Sequence, residues 1–327
     1  MELHPAVVFL GGLVVIIVGA EMLLRGATRI AAMLRVAPIL IGLTVVAIGT
    51  STPELAVGLT AAREGRGALS VGNIAGGNIF ILLFVLGLSA LYKPLKLRLA
   101  SVRFDVPVMI GTAFALIVMA WDGVLTRAEG AVLVGASVAY FAALVRLSRR
   151  ESARMKHEFA EEYSRHALSA HPSLPQWVWN LMLLAAGITL AVLGADLMVT
   201  GAVEIARTFG VSDAVIGLTI VAFGTNAPEF MTTMVATFKD DRDVAIGNLI
   251  GSSIINILVI LGLVCLVAPN GIPVDADVLG IDLPLAALVA LVCLPVFRSG
   301  QQVSRREGAV FVGAYLLYLG TLLFLRS

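Results

Sequence analysis

Gly-Thr-Ser-Thr-Pro-Glu-Leu, from Gly49 to Leu55, recurs as Gly-Thr-Asn-Ala-Pro-Glu-Phe from Gly224 to Phe230, each copy inside an apolar run long enough to cross a membrane. Each copy places a carboxylate where hydrocarbon disfavours one. An acid near the centre of a spanning helix costs about 2.5–3.5 kcal/mol on insertion scales, so Glu54 and Glu229 together impose roughly 5–7 kcal/mol unless something neutralises them. No span supplies a basic partner: His4, His157, His166 and His171 all fall in tails or loops. A bound cation is the expected counter-charge.

Hydrophobic residues make up 59% of the 327 positions and charged residues only 14%, and the apolar runs come in blocks of about 20 residues, which places the chain among polytopic membrane proteins. The runs are continuous and do not alternate, which favours helices over a membrane barrel. The sequence predicts an all-α protein of ten transmembrane helices, centred near residues 15, 47, 80, 112, 137, 188, 223, 255, 289 and 316. A longer polar segment separates the halves at about 146–176.

Basic residues set the expected orientation. The loops after spans 1, 3, 5, 7 and 9 carry 18 of the 23 Lys and Arg, with only Arg63, Arg66, Arg127, Arg207 and Arg326 on the other side. By the positive-inside rule both termini face outward and the 146–176 loop is cytoplasmic, as for a multi-pass protein of a cell (inner) membrane. The start, Met-Glu-Leu-His-Pro, has no basic segment before its apolar run, so span 1 is expected to persist. Cys265 and Cys293 sit in apolar runs and make neither a disulfide nor a metal spacing.

The repeat extends well beyond the heptapeptide. With an offset of 175, residues 18–54 align without a gap to 193–229 with 17 identities in 37, and the same offset pairs Gly72-Asn73 with Gly247-Asn248, Gly76 with Gly251, and Asn78 with Ser253. Each half then holds five spans: 1–147 and 176–327, joined by a linker at 148–175. An odd number of spans turns the second half upside down relative to the first, the plan of inverted-repeat transporters with a site between halves at the midplane. Helices 2 and 7 are expected to break at Pro53 and Pro228, which lack the amide hydrogen that the carbonyls of Gly49 and Gly224 would need. Thr50 and Thr225 add hydroxyls at the same turns. Carboxylates, hydroxyls and freed carbonyls suit a hard cation such as Ca²⁺, which takes six to eight oxygens. Metals that prefer imidazole or thiolate are poorly served. A structural ion pair or a protonated helix cap is the plainer alternative for the two acids.

These residues resemble the sodium/calcium exchangers of the cation/calcium antiporter superfamily, whose two repeats carry Gly-Thr-Ser-x-Pro-Glu followed by Gly-Asn-x-x-Gly-Ser-Asn. The resemblance spans essentially the whole chain. It implies exchange of Ca²⁺ for Na⁺ by alternating access, with Glu54 and Glu229 shared by both ions and spans 1 and 6 sliding over the other eight. It further implies that Thr50, Ser51, Thr225, Asn226, the carbonyls of Ala47 and Ala222, and Ser252 line the ion sites, with Asn78 and Asn256 at further ligand positions. Gly77 stands where the family usually has a serine and Ile81 where it has an amide or acid, while Asn256 takes a place often held by Asp and Asn226 replaces the motif serine. One Na⁺ position is therefore expected to be poor.

The alternative is exchange of Ca²⁺, or another divalent cation, for H⁺. Proton-coupled relatives usually carry a glutamate shortly after Gly-Asn, where this chain has Gly76 and Gly251, and that favours Na⁺. An intramembrane enzyme would need a buried His, an Asp pair or a nucleophile with a base in reach, none of which the spans offer. The expectation is a transporter that needs no cofactor, binds no nucleic acid, has the lipid bilayer and its ions as its partners, and works as a monomer.

Overall fold

The computed structural model describes residues 4–34, 36–97, 102–154, 173–210, 216, 220 and 222–326. Most of the expected linker, residues 155–172, lies outside them. Nearly everything described is helical. Helix α1 (Pro5–Leu34) is followed by α2 (Pro38–Thr50) and α3 (Thr52–Arg63), then α4 (Ala68–Tyr92), α5 (Asp105–Asp122) and α6 (Arg127–Arg154). The second half holds α7 (Leu174–Thr208), α8 (Ala222–Thr225), α9 (Ala227–Phe238), α10 (Arg242–Val267), α11 (Val278–Arg298) and α12 (Arg305–Arg326). Among the described residues, seven helices are long and apolar enough to cross a bilayer, and the pair α2–α3, bent by 44°, forms an eighth such element.

The two helices α4 and α10 form the centre. About four-fifths of each apolar window is buried, 78%, against 28–44% for the other spanning helices. Helices that are apolar all round belong inside, and both carry their few amides and hydroxyls inward. Side chains of α5, α6 and α11 fill the rest of the same core through Met109, Leu116, Leu133, Tyr140, Leu283 and Phe297.

On its flank lie α1 and α7, 30 and 35 residues long. At 1.5 Å per residue they measure about 45 and 52 Å, more than the roughly 30 Å hydrocarbon layer, so they must tilt or project beyond it. Their contact is made of backbone. A β-carbon on Gly12 would lie 2.4 Å from the Met198 amide, one on Gly19 2.4 Å from that of Ala191, one on Gly187 2.3 Å from that of Leu23, and one on Gly194 2.4 Å from that of Ile16. The partner number falls as the α1 number rises, so the helices run antiparallel. Without a hydrophobic drive between helices in lipid, such small-residue contact is what lets dispersion hold them together.

Similar seams join the remaining halves. Gly308 of α12 meets the Gly87 carbonyl of α4, and Gly130 of α6 meets the Gly262 carbonyl of α10. Two short antiparallel ribbons add to them: β1 (Leu95–Lys96) pairs with β4 (Gln302–Val303), and β2 (Val124–Leu125) with β3 (Ile272–Pro273). Each ribbon takes one strand from each half.

Candidate cation site

The break in the second span falls at Ser51, two residues ahead of the expected Pro53. Ser51 has φ −81°, ψ 12°, which ends α2, and Asn226 has φ −89°, ψ 5° between α8 and α9. The cause is still the proline. It cannot donate back to the carbonyl four residues earlier, Gly49 or Gly224, and its fixed φ suits the first turn of the segment that follows, so a new helix starts at Thr52 and at Ala227 and the turn is left at Ser51 and Asn226. Both glutamates thereby sit in the first turn of a new helix, where the unpaired amides of the N-terminus favour negative charge. The glycines of the motif let α7 run across both breaks: a β-carbon on Gly49 would strike Ile188 at 2.5 Å, and one on Gly224 would strike Val199 at 1.9 Å.

Glu54 is 2% exposed and Glu229 0%. Neither Glu54 oxygen has a hydrogen-bond donor among the described residues, and Glu229 has one on Oε1 alone, from the Ser51 hydroxyl at 2.9 Å. That bond places the second carboxylate within a hydroxyl's reach of the first motif. Buried polar groups are as a rule paired, so three carboxylate oxygens without donors mark a place built to receive something positive. The Ser252 hydroxyl and the Asn256 Oδ1 are buried and likewise without partners among the described residues. The donor set of carboxylate, hydroxyl and amide oxygen suits a hard cation.

The remaining expected residues divide. Thr50 donates to Asn248 Oδ1 at 3.2 Å and approaches the Ala47 carbonyl at 3.3 Å, while Thr225 donates to Asn73 Oδ1 at 3.4 Å. Each motif threonine is thus held by the asparagine of the opposite half. Asn248 also donates to Thr233 Oγ1 at 3.0 Å and to the Glu229 carbonyl at 3.3 Å, which makes it a positioning residue for that glutamate. The Ala47 carbonyl accepts the Ser51 amide at 3.0 Å and shares the Thr50 hydroxyl proton with Asn248, which leaves it lone-pair capacity. Asn78 bridges the halves: it donates to the Ser253 carbonyl at 3.1 Å and accepts from Asn256 at 3.2 Å. Of Ala222 only the backbone is described, as the first residue of α8. Ile81, 1% exposed, belongs to the apolar core.

Several features escaped the sequence reading. Widened π-type turns at Phe80–Val85 and Asn256–Leu261 follow Asn78 and begin at Asn256. Such turns are frequent at functional sites, and no residue type announces them. Phe80, Phe84, Phe223, Phe230 and Tyr315 form an aromatic cluster with neighbouring ring centroids 5.2–6.1 Å apart, and Phe230 follows Glu229 directly in the chain. Two further acids, Asp105 and Asp282, accept from Tyr140 at 3.2 Å and Tyr318 at 3.1 Å. The acids are 177 residues apart and the tyrosines 178, so small insertions past Asn78 extend the 175-residue repeat to both pairs.

Two donor-poor carboxylates buried at the broken helices of a membrane protein are what an ion-transport site requires. The profile of the family described as "Sodium/calcium exchanger protein" matches residues 4–146 and 179–324, and the chain belongs to that family. It is 37% identical over 311 residues to CaxA of Alkalimonas amylolytica, covering 94% of this chain and 95% of that one. Sodium/calcium exchanger MaX1 of Methanosarcina acetivorans is 29% identical over 348 residues, 97% of this chain and 98% of that one. The solved sodium-calcium exchanger NCX_Mj, soaked with zero Na⁺ and Ca²⁺, superposes with a TM-score of 0.82 at 28% identity, covering 98% of this chain and 100% of that one. The family and these likenesses make the protein a cation/Ca²⁺ antiporter.

Proposed function

We propose that this antiporter exchanges Ca²⁺ for Na⁺ by alternating access, with Glu54 and Glu229 as the charge partners of the ion. The observation that carries the reading is the burial of both acids with three of their four oxygens lacking donors. Two carboxylates balance one Ca²⁺ when it is bound, and in its absence they must be balanced by other cations, so crossing the membrane with the site empty is disfavoured. Ser51, Thr50, Thr225, Asn226, Ser252, Asn256, Asn78 and the carbonyls of Ala47 and Ala222 complete the proposed ion path. No covalent chemistry is assigned to it.

The architecture we assign is ten spans in two inverted halves, 1–147 and 176–327, with both termini outside and the intervening loop cytoplasmic. The reciprocal Thr50–Asn248 and Thr225–Asn73 bonds support it, since an axis relating the halves exchanges one for the other. So do the antiparallel α1 and α7, whose smooth glycine seam suits them to move as one body. MaX1 and NCX_Mj carry sodium and calcium in their names, which favours Na⁺ for the coupling ion. The loss of polar side chains at Gly77 and Ile81 favours a second reading, with H⁺ as the coupling ion. Proteoliposomes loaded with ⁴⁵Ca²⁺, with Na⁺ and pH gradients imposed separately, decide between them. Flux that follows the Na⁺ gradient at clamped pH is expected; flux that follows only the pH gradient would replace Na⁺ by H⁺.

A further inference from the structure

Gly77 has one close side-chain neighbour across the interface between halves. A β-carbon there would lie 2.9 Å from Asn226 Oδ1 and 3.3 Å from its Nδ2, whereas one on the adjacent Gly76 would meet none of the described residues within 4 Å. The offset of 175 relates Gly77 to Ser252, whose buried hydroxyl lacks a partner, and Asn226 to Ser51, whose hydroxyl serves Glu229. The two departures from the repeat pattern therefore touch each other. A serine pair and an asparagine–glycine pair carry the same number of side-chain heavy atoms, four, with one oxygen and one amide nitrogen in place of two hydroxyl oxygens.

The orientation of the amide is set by its neighbours. Asn226 donates through Nδ2 to the Thr225 hydroxyl oxygen at 3.2 Å. The carbonyl end of Asn226 then faces Gly77.

We propose that Asn226 and Gly77 are one exchange, in which the Asn226 carboxamide crosses to the space a side chain at 77 would fill and presents its oxygen there to the transported hard cation. The ligand missing from position 77 is supplied by the second half, which leaves Ile81 as the lost polar position behind the H⁺ reading. An amide oxygen carries a larger dipole than a hydroxyl and cannot ionise, so the ligand persists at every working pH. This rests on the cation site proposed above. It also means that a serine placed at 77 beside Asn226 removes the ligand by collision and restores nothing.

The test is a double-mutant cycle on the full-length protein in detergent: Gly77→Ser, Asn226→Ser, and both together. Melting temperature is read without ions and again with added Ca²⁺. Gly77→Ser alone is expected to melt lower than the parent, because the Asn226 amide must leave its place. Asn226→Ser alone is expected to fold but to show a smaller Ca²⁺-induced rise. The double variant should recover both. A Gly77→Ser variant that melts like the parent, or a double variant no better than the worse single one in either reading, would overturn the exchange. Glu54→Gln reconstituted into proteoliposomes separates the two claims: full ⁴⁵Ca²⁺ flux in that variant overturns the antiport site, while the ion-free melting cycle in detergent still judges the exchange.

Discussion

Replacing Glu54 by Gln should abolish Ca²⁺ transport and raise the stability of the ion-free protein, and replacing Glu229 should do the first without the second. At an effective dielectric of about 20, a carboxylate about 2.4 Å from a divalent ion supplies on the order of 14 kcal/mol of attraction. Desolvation cancels most of that. Yet a surviving contribution of about 4 kcal/mol is already about a thousandfold in affinity, so ⁴⁵Ca²⁺ uptake into proteoliposomes should fall at least about a hundredfold for either variant. The stability term differs because the surroundings differ. Both Glu54 oxygens are buried without donors, so Glu54→Gln removes an insertion cost of about 2.5–3.5 kcal/mol and buries an imperfectly paired amide at about 1–3 kcal/mol. The net gain is about 1 kcal/mol, or roughly 2–4 °C in melting temperature by the scale of somewhat smaller domains. Glu229 already receives the Ser51 hydroxyl at 2.9 Å, and neutralising it weakens a charge-assisted bond by about 1 kcal/mol, which offsets the gain. In Ca²⁺-free buffer Glu54→Gln should therefore melt above Glu229→Gln, and added Ca²⁺ should raise the melting temperature of the parent but of neither variant. Wild-type flux in Glu54→Gln, or a melting temperature below that of Glu229→Gln, would refute the assignment of donor-poor charge to Glu54.

The glycine seam predicts that Gly194→Val, whose β-carbon would sit 2.4 Å from the Ile16 amide, forces α1 and α7 apart at a cost of about 1–3 kcal/mol, measurable as a melting temperature lower by several degrees. Lys239 pairs with Glu21 of α1, which Arg25 also engages, and with 40% and 23% of the two side chains exposed Lys239→Ala should change stability by no more than about 1 kcal/mol in thermal melts. Asp240, in the turn between α9 and α10, is held below the ordinary carboxylate range by hydrogen bonds from Arg242 and Lys93. Its small contribution is complete above the unfolded value of about 3.9 and is lost as pH falls through the lower folded value, so Asp240→Asn should flatten the melting curve against pH only below about pH 4.

The sequence by itself determined the class, the repeat and the two acids. Those properties are local or periodic: apolar runs of spanning length, an offset of 175 that needs no coordinates, and carboxylates whose burial in lipid has an energetic consequence wherever they meet. It also located the breaks to within two residues, because a proline's missing amide acts on its own turn. Tertiary structure decided how the same residues divide their work. Thr50 and Thr225 are tied to Asn248 and Asn73, and Asn78 spans to Ser253 and Asn256, because whether a polar side chain faces an ion or a neighbouring helix depends on which helix arrives beside it. Gly77 shows this most directly. In the sequence it reads as a lost ligand, and only the approach of Asn226 to 2.9 Å from its absent β-carbon reveals that the space is filled from the other half of the chain.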